Sequence, residues 1–196
     1  VYKDDSLYIA TNNRDGRGIP KEKDDVILKI KLIKENTSDL DSVSKELAFK
    51  YQDNKIAISD IVDNKKIESI LGKADEIKSR TYTKDDGLNM DQLLGRTELV
   101  YQYPGLIIKS IDGIKDNEFS VFSIEISDPK YSTVRDIKVG DSFEKLKEAY
   151  PEGKLLGGEL SDSEDDYRYE PADYTEIINF RIKNKIIEKI TMNKLL

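Results

Sequence analysis

Two stretches with the same punctuation, SDIVDNKKIESILGKADE at 59–76 and DIKVGDSFEKLKEAYPE at 136–152, constrain what this chain can fold into more than any other feature. In the second, Gly140 permits a turn, Asp141 reads as an N-cap, and Glu144 follows three residues later, the capping-box spacing in which each group satisfies a free backbone N–H. Phe143, Leu146 and Tyr150 fall on one helical stripe, Glu144, Lys145, Lys147 and Glu148 form the wet side, and Pro151 ends the helix. The earlier stretch has Asp60-Ile61 for Asp136-Ile137, Asn64 for Gly140, Ile67 and Ile70 for Phe143 and Leu146, and Gly72 as its stop.

The segments after each helix repeat as well. The first is succeeded by a polar loop and then TELVYQY, PGLIIKSID and EFSVFSIEIS; the second by GGELSDSEDD and then YRYEP, TEIINFRIK and KIIEKITM. Segments that alternate over such lengths and break at Pro-Gly, Asp-Gly and Lys-Asn-Lys read as antiparallel hairpins. The order is therefore helix, loop, three strands, occurring twice, at 56–130 and 131–196. Residues 1–55 form an N-terminal strand region or a divergent partial repeat: DVILKIKLIK alternates as a strand, and ELAFKYQDNKIAI has the layout of the hairpin INFRIKNKIIEKI.

The absence of Cys, His and Trp removes more functions than any motif adds. There is no Cys/His zinc site, no Ser-His-Asp triad and no thiol nucleophile, so any chemistry would rest on carboxylates, Ser, Lys or Tyr. A formal net charge of −7 repels phosphate backbones, which argues against nucleic-acid binding. The longest apolar run is too short to span a bilayer, and VYKDD lacks the basic and apolar regions of a signal peptide.

VGDSFEKLKEAYPEG, with its shadow DNKKIESILGKAD, resembles the short helical signature of small lipoproteins of the SmpA/OmlA type and of the β-lactamase-inhibitor-protein-like superfamily. TELVYQYPGLIIKSI is similar to the strand pair of such repeats in secreted Gram-positive proteins. The resemblance covers 56–196. It implies an α+β fold of tandem helix-plus-antiparallel-hairpin repeats, one sheet with helices on one face and the other face open and concave. It also implies an extracellular or cell-surface protein, touching membrane only through a lipid anchor outside these residues. The inhibitory activity that named the superfamily does not carry over, since no loop motif for it is matched here.

Leu99, Tyr101 and Tyr103 share one strand face, and Tyr167 and Tyr169 occupy the corresponding strand of the second copy. Tyrosine is an efficient recognition residue, so these four are candidate binding residues; the competing reading packs them under the helices with their hydroxyls at the rim. On TEIINFRIK, inward Ile178, Phe180 and Ile182 turn Asn179, Arg181 and Lys183 to the other face, which makes Arg181 and Lys183 candidate contacts to an anionic peptide or protein. GGELSDSEDD gathers Glu159, Asp162, Glu164, Asp165 and Asp166 without an EF-hand spacing and reads as a mobile acidic loop. TNNRDGRGIPKE places Asn13, Asp15, Gly16 and Glu22 in calcium-loop positions, but Thr11 stands where the first ligand should be.

No local pattern selects a catalytic carboxylate pair from the many present. The expectation is a non-enzymatic binding module without cofactor or metal, recognising a protein or peptide through the open sheet face or hairpin loops. A structural envelope lipoprotein and a carboxylate-dependent hydrolase are the alternatives.

Overall fold

The structure is a computed structural model that describes residues 2–3, 6–12, 25–31, 46–86, 92–113, 118–160, 163–171 and 175–196. The chain divides into two compact units, Val1–Asp39 and Leu40–Leu196. In the first, β1 (Tyr2–Lys3), β2 (Ser6–Asn12) and β3 (Asp25–Lys31) form an antiparallel meander, with Leu7 opposite Ile30. The near-calcium-loop positions Asn13, Asp15, Gly16 and Glu22 lie outside the described residues.

The second unit opens with a hairpin, β4 (Ala48–Tyr51) and β5 (Asn54–Ala57), turning at Gln52 with φ of 53°. After β6 (Ile61–Val62) come α1 (Asn64–Leu71), β7 (Glu76–Thr81), β8 (Thr97–Tyr103), β9 (Leu106–Asp112) and β10 (Phe119–Ile126). Then follow β11 (Ser132–Thr133), α2 (Phe143–Ala149), β12 (Lys154–Leu155), β13 (Glu164–Tyr169), β14 (Glu176–Lys183) and β15 (Ile186–Lys194). Eight of these strands run in the order β12-β13-β14-β15-β10-β9-β8-β7, and β6 adds to β10 to make a nine-stranded antiparallel sheet. The two runs of four strands meet where β10 pairs with β15, Ile124 opposite Met192 and Ile126 opposite Ile190. A smaller sheet has the order β11-β4-β5.

Turn chemistry fixes these ladders. Pro104-Gly105 joins β8 to β9 with Gly105 at φ +70°, the signature of a type II turn, and a Cβ there would sit 2.2 Å from Asp128 Cβ. Asn184 and Lys185, at φ 52° and 63°, close β14–β15 with the two left-handed residues of a type I′ turn.

Register then aligns apolar side chains across the six central strands, from β8 to β13. One row runs Tyr101, Ile108, Ile124, Met192, Ile178, Tyr169 and the next runs Tyr103, Leu106, Ile126, Ile190, Phe180, Tyr167; every member is buried. Leu47, Phe49, Ile56 and Ile58 from the β4–β5 hairpin, Ile67 from α1 and Phe143 and Leu146 from α2 belong to the same core. Tyr131 packs edge-on against Phe49, ring centres 5.7 Å apart.

The expected α+β class, with helices as the layer on one sheet face, is wrong for this chain. Antiparallel β-structure predominates, and among the described residues there are only two α-helices, of eight and seven residues. Two turns of helix bury one or two side chains, so they cannot cover such a sheet; a second small sheet supplies much of the remaining core.

The helices also differ in detail from the sequence expectation. In α2 the N-cap is Ser142, whose side chain accepts from Lys145 N–H, while Asp141 accepts from Lys138 N–H at 2.9 Å and pairs with Lys145 Nζ at 2.8 Å. In α1 Asp63 caps Lys66 N–H at 2.7 Å, and Asn64 is the first helical residue rather than a left-handed turn residue. Counted from the caps, Ile67 therefore matches Leu146 and not Phe143, a slip of one turn. Gly72 does end α1, with φ of 79° and its N–H donated to the Glu68 carbonyl.

Candidate functional site

Strand alternation decides what each face of the large sheet can do. Because Tyr101, Tyr103, Tyr167 and Tyr169 join the buried rows, they are core residues and do not form a recognition surface. Their hydroxyls reach the helix ends instead. Tyr101 donates to Asn64 Oδ1 at 2.8 Å, Tyr103 to the Gly72 carbonyl at 3.0 Å, and Tyr167 to the Tyr150 carbonyl at 2.6 Å. These acceptors lie at the start of α1, at its C-cap and at the C-cap of α2, so the tyrosines tie the sheet to groups at the helix ends. Burial pushes the Tyr103 hydroxyl up to about 12 and raises Tyr101, Tyr150, Tyr167 and Tyr169.

Tyr169 instead accepts from Arg135, at 2.9 Å from Nη2. The Arg135 guanidinium also donates to Glu46 Oε2 at 2.9 Å, to the Ala149 carbonyl at 2.8 Å and to Glu152 Oε2 at 3.0 Å, and it lies 4.6 Å from the Tyr150 ring centre. It is a structural clasp between the chain before β4, the end of α2 and β13. The sequence reading did not single it out, because nothing local distinguishes it from other charged residues.

The opposite face is where the polar alternates of the same strands emerge. The register aligns Gln102, Ile107, Glu125, Thr191, Asn179 and Arg168 in one row, and Lys189, Arg181 and Asp166 in the next. Arg181 Nε lies 3.5 Å from Asp166, Lys189 Nζ 2.7 Å from Glu125, and Arg168 donates to Asn179 Oδ1 at 2.9 Å. Lys183 reaches Glu164 at 3.4 Å and Glu188 at 3.8 Å. The structure thus puts both expected cations, Arg181 and Lys183, on this face, separate from all four tyrosines.

A depression of about 200 Å³ is lined by Leu156, Asp166, Arg168, Asn179, Arg181, Lys189 and Thr191. Two neighbouring depressions, about 130 and 340 Å³, share Leu156 with it. Leu156 is 52% exposed, an uncovered leucine flanked by two arginines. Its backbone is fixed by donation from its N–H to the Asp166 carbonyl at 2.9 Å.

Arg168 was legible in YRY: if both tyrosines turn inward, the arginine between them must turn out. Lys189 was not, because a register shift at Arg181/Ile182 places Ile182 opposite Ile187 and Arg181 opposite Lys189. Simple alternation from buried Ile187 would have sent Lys189 inward. Glu164, Asp165 and Asp166 belong to β13 and are not part of a mobile acidic loop. Glu164 and Asp166 stand opposite Lys183 and Arg181, cross-strand pairs of opposite charge that favour the strand.

Among the described residues no group of three or more carboxylates could hold a metal ion, and no helix is long and apolar enough to cross a membrane. The carboxylates that shift, Asp86, Asp136, Glu144 and Glu152, all move down. Backbone N–H donors lead for Asp86, Glu144 and Glu152, and the Lys50 ammonium leads for Asp136. Comparison with protein-family models, with curated proteins and with solved structures finds no match.

Proposed function

We propose that the chain is a binding module that holds an acidic, extended segment of a protein or peptide on the polar face of the large sheet. The observation that carries this reading is the convergence of three depressions on exposed Leu156, with Arg168 and Arg181 on the wall of the first. An apolar side chain of the ligand would rest on Leu156, and its flanking carboxylates would take the two guanidiniums. Arg181 and Lys183 side chains are 51% and 49% exposed, so their intramolecular pairs are worth little and exchange readily for incoming carboxylates.

An exported, lipid-anchored location belongs to the same proposal and rests on the resemblance of the helical stretches to small lipoprotein repeats. The ligand contacts envisaged are positional and involve no bond making, so the proposal is of a non-enzymatic protein.

Fluorescence anisotropy with labelled peptides that alternate Glu with Leu tests the binding. Binding should weaken as salt rises, and Arg168→Glu with Arg181→Glu should abolish it while the melting temperature holds. Equal affinity for Lys-Leu peptides, or undiminished binding by the double variant, would refute the proposal.

A further inference from the structure

The two ends of the large sheet are unlike. At one end β12 is two residues long, while at the other β7 runs for six, pairs only with β8 among the described residues, and is exposed at every position. A long bare edge is a template for another strand.

The ladder determines which groups of β7 are free. Tyr82 N–H donates to the Arg96 carbonyl at 2.9 Å and Gly95 N–H returns to the Tyr82 carbonyl at 2.9 Å, so Tyr82 and Arg96 form a hydrogen-bonded pair around a bulge. The register continues with Arg80 opposite Glu98, Lys78 opposite Val100 and Glu76 opposite Gln102. Hydrogen-bonded positions alternate along an antiparallel strand, so Glu76, Lys78 and Arg80 direct their backbone groups at β8. Ile77, Ser79 and Thr81 direct theirs outward.

The geometry points to β7 as a self-pairing edge on which a second copy of this chain docks antiparallel, Ile77 opposite the partner's Ile77. Only registers that bring outward residues together can form the ladder, and charge separates them. With Ile77 on the two-fold axis, Glu76 faces the partner's Lys78 and Lys78 faces the partner's Glu76. Moving the axis to Lys78 opposes two lysines, and moving it to Ser79 opposes Lys78 and Arg80 twice.

Lys and Arg on a sheet edge ordinarily repel a second strand. Here Glu76, already 3.2 Å from Lys78 within one copy, makes Glu-Ile-Lys its own complement when reversed. Ile77, 46% exposed, loses its contact with water in the same register. This match to itself, which a foreign strand has no reason to share, selects a second copy as the occupant.

Sedimentation velocity on the full chain over roughly 10 µM to 1 mM should show a reversible monomer–dimer equilibrium. Ile77→Pro removes the outward N–H that meets the partner's Ile77, without touching the β8 ladder, and should leave only monomer, with the melting temperature retained. Lys78→Glu should raise the dissociation constant about tenfold, since two attractive pairs become repulsive, and Glu76→Lys with Lys78→Glu together should restore it.

A wild-type chain that stays monomeric throughout, or a dimer indifferent to Ile77→Pro, overturns the proposal. If Ile77→Pro unfolds the protein by circular dichroism, the charge-reversal pair decides alone, and failure of the double variant to recover the dimer overturns it. A monomer that takes up an added extended peptide along β7 would assign the edge to a foreign strand instead.

Discussion

Raising the pH interrogates the core directly, because the tyrosines that bind the sheet to its helices ionise only at the cost of their burial. Tyr103 is 9% exposed, donates to the Gly72 carbonyl, and has its hydroxyl pushed up to about 12, chiefly by burial and then by Glu68 nearby. In the unfolded chain a tyrosine titrates near 10. A group that holds its proton more tightly when folded contributes stability that is fully present below the unfolded pKa and lost as pH rises through the folded one. Two pKa units correspond to roughly 2.7 kcal/mol for Tyr103 alone. Tyr101, Tyr131, Tyr150, Tyr167 and Tyr169 are raised in the same direction, each with burial as the leading cause.

Domains of this kind are stable by about 5–15 kcal/mol. Tyr103 loses its share between about pH 10 and 12, and the other buried tyrosines, raised in the same direction, add to the loss as pH rises. The expected outcome is one cooperative transition in which tyrosinate absorbance at 295 nm rises together with loss of far-ultraviolet circular dichroism. Tyr103→Phe isolates one member. It should cost about 0.5–1.5 kcal/mol at neutral pH through the lost hydrogen bond, and reduce the slope of stability against pH above 10 by up to one proton, about 1.4 kcal/mol per unit. A smooth titration of most tyrosines near pH 10 with the fold intact would show that they lie in water, and would refute the core assignment along with the two buried rows.

Further perturbations address other joints. Leu146→Ala, at a fully buried position of α2, should lower stability by about 2–5 kcal/mol in urea unfolding. Arg135→Ala should cost about 2–4 kcal/mol, because it strands the Ala149 carbonyl and Glu46 as well as removing its ring contacts; Arg135→Lys should recover less than half, read by thermal melts. Gly105→Ala should destabilise by more than about 1 kcal/mol and lower yield, since both the left-handed backbone and the Asp128 contact oppose a side chain.

How much of this was written in the sequence depended on whether one local signal decided the outcome. The alternation in EIINFRIK, and the turns at Pro104-Gly105 and Asn184-Lys185, place β8–β9 and β14–β15 without ambiguity. β7 was invisible: in EIKSRT only Ile77 is apolar and all six residues are exposed, so no periodicity marks a strand held by its ladder alone. The α+β expectation failed for a related reason. Well-punctuated helices are conspicuous in sequence, but two turns bury little, and the small sheet of β4, β5 and β11 is assembled by pairing Ser132 with Lys50 across a distance no local pattern reports.

The polar face is a by-product of the same packing that buries the tyrosines. Side chains on a strand have only two directions, so committing Tyr167 and Tyr169 to the core leaves Arg168 no choice, and committing Phe180 and Ile182 does the same for Arg181. Lys189 joins them only because the irregularity at Arg181/Ile182 shifts β15 against β14. That shift lets Ile187 and Ile190, three residues apart, both face inward and puts Glu188 and Lys189 between them. A variant that deletes Glu188, the residue without a partner in the ladder, would keep Ile187 opposite Ile182 and Lys189 opposite Arg181 with both isoleucines inward, whereas deleting Thr191 from the regular ladder would slip the strand by a residue and turn buried Met192 outward. The charge pattern around Leu156 and the continuity of the buried rows are therefore one property of the register, and a one-residue slip in the regular ladder that rearranges the polar face also opens the core.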